Sequence, residues 1–261
     1  MERIKIALEK ARAERDQNVQ VPAAVRQVVG TPGIEYTQTR SISVSSEILR
    51  GNRIITELNQ GAYVDAIKIL RTKVLMILRE NQWNSILVTS CSENEGKSLT
   101  AINLAISLAL EIDQTVMLVD ANLRDPSVHK FFGLPVSRGL TDYLLDGVPI
   151  SELLVNPLGI NRFVILPGGR PLMDSSEMLS SPRMVELVRE LKSRYDSRII
   201  IFDLPHLGVA DVLAFSPFTD ASILVLEEGT TTRNGLEKAT EMLKQTRLIG
   251  TVLNKSRENS G

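Results

Sequence analysis

One stretch of this chain restricts its fold more than any other. A short apolar run, Ile86-Leu87-Val88, leads into Thr89-Ser90-Cys91-Ser92-Glu93-Asn94-Glu95-Gly96-Lys97-Ser98. A helical pattern through Leu99, Ile102, Asn103 and Ala105 follows. Strand, tight loop ending in Gly-Lys-Ser, and helix together read as a phosphate-binding loop. In such a loop, successive backbone N–H groups and the positive end of the helix point at a polyphosphate. Gly96 allows close backbone approach, Lys97 supplies a cation, and the Ser98 hydroxyl suits Mg²⁺. The full spacing asks for glycine where this chain has Cys91, so a purely structural strand-turn-helix is the competing reading.

The 261 residues, 43% of them hydrophobic, fit one α/β domain with an additional N-terminal segment. A formal charge of −1 provides no global basic field, which argues against nucleic acid as a partner. No apolar run approaches the roughly 18 residues of a membrane span, and no signal-peptide pattern opens the chain, so a cytoplasmic location is expected. The single cysteine, Cys91, excludes an internal disulfide. It is either a small residue tolerated beside phosphate or a redox switch.

Along the chain, Ile4, Leu8 and Ala11 mark a helix over Met1–Asp16, and Val19–Gly33 has linker composition. Gln38–Val44 alternates weakly, as an edge strand would. The expected domains are therefore an N-terminal helix and linker over 1–60, a phosphate-binding domain over 61–255 and a polar tail over 256–261. From Ala62 to Arg79, Ile67, Leu70, Val74, Ile77 and Leu78 share one helical face. Asp65, Lys68 and Arg71 form a charged stripe on another face, readable as a solvated surface.

Thr115–Asp120 and Arg198–Asp203 are buried-type strands, each ending in an acid. Ligands of parallel sheets sit at strand carboxyl ends, so Asp120 and Asp203 fall where phosphates and metal would lie. Further strands are expected at Arg162–Leu166, Ala221–Leu226 and Ile249–Leu253, with helices at Pro182–Lys192 and Thr232–Thr246. The alternation predicts an α/β three-layer sandwich with a mostly parallel central sheet, a P-loop NTPase fold.

Glu95-Gly96-Lys97-Ser98, Val119-Asp120-Ala121-Asn122-Leu123-Arg124, Ile201-Phe202-Asp203-Leu204-Pro205 and Val252-Leu253-Asn254-Lys255 together resemble the bacterial tyrosine kinases. These are P-loop proteins of the MinD/ParA-like superfamily that act in capsule and exopolysaccharide production. In that family the first three motifs are Walker A, A′ and B. The opening, Ile6 to Arg15, is similar to the start of the exosortase-associated autokinases.

The resemblance implies ATP and Mg²⁺ as cofactors. Glu95, Gly96, Lys97, Ser98 and Leu99 would bind the phosphates and Asn254 would meet the base. Lys97, Asp120 and Asp203 would be catalytic, Asp120 as the candidate base, while Ser98, Asp120 and Asp203 would hold the metal. Asp65, Lys68 and Arg71 correspond to the family's Glu-x-x-Arg-x-x-Arg helix, which joins subunits into a homo-oligomer. A membrane-embedded polysaccharide chain-length or co-polymerase protein would be the partner, holding the chain at the inner face of the plasma membrane.

The sequence departs from the family pattern at four places. Glu93-Asn94 replaces Pro-Gly, Asn122 replaces the second Walker A′ acid, and His206 replaces a proline after Walker B. The fourth is a C-terminus without the family's tyrosine cluster, leaving Tyr36, Tyr63, Tyr143 and Tyr195, of which Tyr36 is the expected phosphoacceptor. Three functions compete: a tyrosine autokinase, a nucleotide-binding scaffold without turnover in the same system, and a MinD/ParA-like ATPase. Ser92, where MinD-like ATPases carry their signature lysine, weighs against the third.

Overall fold

A computed structural model of the chain describes residues 39–56, 59–110, 114–135, 138–158, 160, 162–193 and 198–256. The expected helix over Met1–Asp16, the linker over Val19–Gly33, Tyr36 and Tyr195 lie outside the described residues.

Among the described residues eight strands form one sheet: β1 Arg40–Ser43, β2 Ser85–Ser90, β3 Thr115–Asp120, β4 Val155–Leu158, β5 Phe163–Leu166, β6 Arg198–Asp203, β7 Ala221–Glu227 and β8 Leu248–Asn254. Their spatial order is β1-β4-β5-β3-β6-β2-β7-β8. Every pairing is parallel except β4 with β5, which run antiparallel where Val155 faces Ile165. β1 is the edge strand that the weak alternation over Gln38–Val44 suggests.

The central strands read as continuous apolar runs because helices cover both of their faces. Pleating sends alternate residues to opposite sides. Ile86, Val88, Val116, Leu118, Ile199 and Ile201 enter one core, which also holds the apolar face of the helix Lys97–Ala109. Leu87, Met117, Val119, Ile200 and Phe202 enter the other, shared with the helix Pro182–Ser193 through Met184, Leu187, Val188 and Leu191. Each such fully buried side chain contributes about 1.5–3 kcal/mol. The outcome is the three-layer α/β sandwich.

The helix Ala62–Asn81 buries Val64, Ile67, Val74, Leu75 and Leu78 in the first core and ends at Gln82, whose φ is 57°. Leu70 and Ile77 are half-buried at the margin of that face. A polar staple fixes the segment before this helix. Fully buried Asn103, on the Lys97–Ala109 helix, accepts the Ile55 N–H at 2.9 Å and donates to the Arg53 carbonyl at 3.0 Å and the Tyr63 hydroxyl at 2.7 Å. An unpaired amide there would cost about 1–3 kcal/mol, so this network favours one arrangement of the elements it joins.

Candidate functional site

The loop between β2 and its helix takes its shape from two residues in left-handed backbone geometry, Asn94 with φ 61° and Gly96 with φ 91°. Asn tolerates that region, which is why the replacement of glycine at 94 leaves the turn intact. Gly96 has a second constraint: a Cβ there would lie 2.0 Å from Asn254 Nδ2. Asn254, at the end of β8, donates to the Glu95 carbonyl at 2.8 Å. Lys255 donates to the Asn94 carbonyl at 2.8 Å and pairs with Glu227. The ends of β7 and β8 thus brace the loop from outside.

The Glu95 side chain braces it from within. It is fully buried, accepts the Ser92 N–H at 2.9 Å on Oε2, and takes the Thr231 hydroxyl on Oε1. Its carboxylate therefore faces the protein, and any contact of Glu95 with phosphate falls to its backbone. Lys97 and Ser98 open the helix, with Lys97 Nζ 3.2 Å from Ser98 Oγ. Leu99, in the next position, is half-buried.

Asp120 and Asp203 are register partners on neighbouring strands β3 and β6, both at carboxyl ends and both 0% exposed. Asp120 Oδ2 accepts the backbone N–H groups of Ser127 at 2.9 Å and Val128 at 3.0 Å. Its Oδ1 and both oxygens of Asp203 are buried without a hydrogen-bond partner of good geometry. Burial pushes the Asp120 carboxyl well above the usual carboxylate range, and the Asp203 charge adds to the rise. The two backbone N–H groups and Lys97 oppose it. Burial likewise raises Asp203, against the nearby Lys97 ammonium and Ser98 hydroxyl.

Buried polar atoms are normally satisfied, and three orphaned carboxylate oxygens beside a helix-start hydroxyl make a hard-oxygen donor set. That set fits Mg²⁺ and its water shell. Among the described residues no group of three or more His, Cys, Asp or Glu converges as an all-protein metal cage would require. Such an arrangement suits a cation shared with phosphates rather than one held by protein alone.

Other residues complete the surroundings. Asn122 donates its amide to the Asp125 carbonyl at 3.0 Å, so its nitrogen holds its own loop together. Arg124 reaches across to Asp211, Nε to Oδ1 at 3.1 Å, while Asp211 is 0% exposed and its Oδ2 has no partner. The sequence reading took Arg124 as part of a motif but missed Asp211, an acid in a stretch without clear periodicity. Glu93 and His206, two of the departures, lie 3.9 Å apart. Burial and the Glu95 charge raise the Cys91 thiol to about 11, which opposes the redox-switch reading, since the thiolate is the reactive form.

Of the residues expected at a subunit interface, Asp65 and Lys68 pair at 3.7 Å on the exposed side of their helix. Arg71 instead turns toward the P-loop helix, where Nη1 donates to the Ser107 carbonyl at 3.4 Å. Among the described tyrosines, Tyr63 joins the Asn103 staple and Tyr143 lies under the Arg183 guanidinium, 4.9 Å from ring centroid to Cζ.

No family model matches the chain. Tyrosine-protein kinase YwqD of Bacillus subtilis is 35% identical over 190 residues, which are 72% of this chain and 78% of that kinase. The chain belongs to the bacterial tyrosine-protein kinase family. Relatives differ in size: tyrosine-protein kinase ptk of Acinetobacter johnsonii is 27% identical over 76% of this chain but only 27% of its own length.

Among solved structures, the chimerical protein CapA2B2 superimposes with a TM-score of 0.72 at 25% identity, covering 84% of this chain and 94% of that one. The septum site-determining protein MinD of Pyrococcus horikoshii, solved with Mg-ADP, gives a TM-score of 0.55 at 21% identity over 67% of this chain and 72% of its own, a likeness of fold. The family's kinases and MinD-like ATPases thus share this P-loop α/β architecture.

Proposed function

We propose that this chain is an ATP- and Mg²⁺-dependent protein tyrosine autokinase that regulates exopolysaccharide or capsule assembly and export. One observation supports this most: Lys97 and Ser98 stand beside two buried, register-paired carboxylates, three of whose oxygens have no hydrogen-bond partner of good geometry among the described residues. Phosphoryl transfer asks mainly for positioning and charge neutralisation, and this cluster is suited to both.

In this reading, loop N–H groups and Lys97 hold the ATP phosphates. Ser98, Asp203 and Asp120 hold Mg²⁺, which supplies neutralisation of phosphate charge when bound. Asn254, already seated against Gly96, meets the base. Asp120 is the candidate base, standing at the carboxyl end of β3 beside Asp203. A tyrosine oxygen attacks the γ-phosphorus, the bond to the bridging oxygen breaks, the phenolic proton passes to Asp120, and ADP leaves.

Tyr36, which lies outside the described residues, is the phosphoacceptor of this proposal on sequence grounds. Asp65, Lys68 and Arg71 join copies of the chain. Exposed Ile69 and Met76, one heptad apart on the same helix, give that surface apolar area. Among the described residues no helix is long and apolar enough to cross a membrane. On the family resemblance, a membrane-embedded polysaccharide co-polymerase is the proposed means of holding the chain at the inner face of the plasma membrane.

The test is incubation of purified protein with Mg²⁺ and γ-labelled ATP, with and without a candidate membrane activator, followed by phosphopeptide mapping. Label on tyrosine, absent in Lys97→Met and moved or lost in Tyr36→Phe, is the expected result. ATP binding with neither label nor phosphate release would make the chain a nucleotide-binding assembly factor instead. Arg71→Glu should lower the mass seen by light scattering, and an unchanged mass would return the stripe to a solvated surface.

A further inference from the structure

The opposite end of the sheet carries a feature that phosphoryl transfer leaves unused. Two clefts of about 520 and 500 Å³ open beside the amino ends of β2 and β6 and share Gln82, Asn84 and Lys192 in their walls. Arg189 lines the first, together with Asp220. Arg79, Arg198 and Trp83 line the second. Arg247 lies over the Trp83 ring, its Cζ 4.7 Å from the centroid.

Among the described residues, four cations and one acid line these walls. The single acid is already compensated: Asp220 pairs with Lys192 at 2.5 Å and accepts the Ser85 hydroxyl and the Asn84 and Ser85 N–H groups. The guanidinium groups of Arg79 and Arg189, one in each cleft, have neither an ion-pair nor a hydrogen-bond partner among the described residues. Arg79 stands in the last turn of its helix, where the helix dipole favours a cation. That dipole does not explain a second arginine in the adjoining cleft, nor the aromatic side chain that lines the wall with Arg79.

We propose that the joined clefts are a second anion-binding site, taking an organic diphosphate such as a nucleoside diphosphate. Its phosphates lie between Arg79, Arg189 and Lys192, with Gln82 as a neutral donor, and its ring meets Trp83. Guanidinium groups suit phosphate because their planar donors pair with two oxygens at once. An aromatic wall adds affinity for a flat or sugar ring that inorganic phosphate lacks.

The site is separate from the P-loop. Arg198 begins the strand that ends at Asp203, five residues on, which is roughly 17 Å at about 3.3 Å per residue. Occupancy of one end therefore leaves the other open.

Trp83 is the only tryptophan in the chain, so its emission reports on this cleft directly. The experiment titrates uridine diphosphate and inorganic pyrophosphate into Lys97→Met protein, following Trp83 emission and, in parallel, retention of labelled uridine diphosphate in equilibrium dialysis. Circular dichroism verifies the fold of each variant. Expected are saturable binding with the nucleotide tighter than pyrophosphate, and weakening of about tenfold or more in Arg189→Ala and in Arg79→Ala.

Absence of binding in dialysis would overturn the proposal, as would binding unchanged in both arginine variants. Binding present in the unsubstituted chain but lost in Lys97→Met would place the ligand at the P-loop and overturn it too. A response to polyglutamate but not to the diphosphates would mean an acidic polypeptide is the ligand, and the organic-phosphate assignment would fall.

Discussion

The two ends of the central strands treat acids withdrawn from water in opposite ways, half-buried Asp220 at one and fully buried Asp120 and Asp203 at the other. At the amino ends, Asp220 has four hydrogen-bonding contacts, with Lys192, the Ser85 hydroxyl and two backbone N–H groups. Burial alone would raise its carboxyl, but these partners outweigh burial and hold it below the usual range. At the carboxyl ends, Asp120 and Asp203 keep three oxygens without partners and both carboxyls are raised. A half-buried charge with its own partners stabilises the fold, whereas a buried one left unsatisfied is costly in the empty protein and suited to a cationic ligand.

The largest expected effect lies at the carboxyl ends. Lys97→Met removes the P-loop cation, and the Mg²⁺-dependent affinity for ATP should fall by roughly 100-fold or more with the fold unchanged. Calorimetric titration checks this, and retained affinity would remove the loop from the site.

A second substitution probes the amino ends. Asp220→Ala leaves Lys192 and two N–H groups unpaired, so urea unfolding should show a loss of about 2–3 kcal/mol, with Mg²⁺-ATP affinity unchanged. A loss of ATP binding in a folded Asp220→Ala protein would blur the contrast.

A smaller effect of opposite sign belongs to Asp120. Its proton affinity is higher folded than unfolded, so the folded state gains from protonation at low pH and loses that gain as pH rises through the folded pKa. Asp120→Asn should therefore stabilise the nucleotide-free protein at pH 8, and the gain should shrink toward pH 4. Thermal melts across that range measure it, and a pH-independent difference would contradict the cause assigned here.

The carboxyl end was far more legible in the sequence than the amino end. β3 and β6 announce themselves because strands covered on both faces must be continuously apolar, and an acid ending such a run stands out. The P-loop reads equally well, since its backbone geometry restricts residue choice at Gly96. Asp220 carries no such mark: it sits between Thr219 and Ala221 like any turn acid, and its partners lie 28 and 135 residues away.

The same difficulty hides the Asn103 staple, because one polar residue on an apolar helix gives no sign of which carbonyls it will meet. β4 went unread for a local reason: Val155-Asn156-Pro157-Leu158 is short and contains a proline, and only its pairing with β1 and β5 makes it a strand. Asp211 was missed because its partner Arg124 is 87 residues distant.

The central claim is that the unpaired oxygens of Asp120 and Asp203 are there for a Mg²⁺-nucleotide. ATP affinity measured with Mg²⁺ and with EDTA, in the unsubstituted chain and in Asp120→Asn with Asp203→Asn, tests it most directly. Mg²⁺ should tighten ATP binding by about tenfold or more in the former and have little effect in the latter. Equal Mg²⁺ dependence in the two proteins would contradict the account.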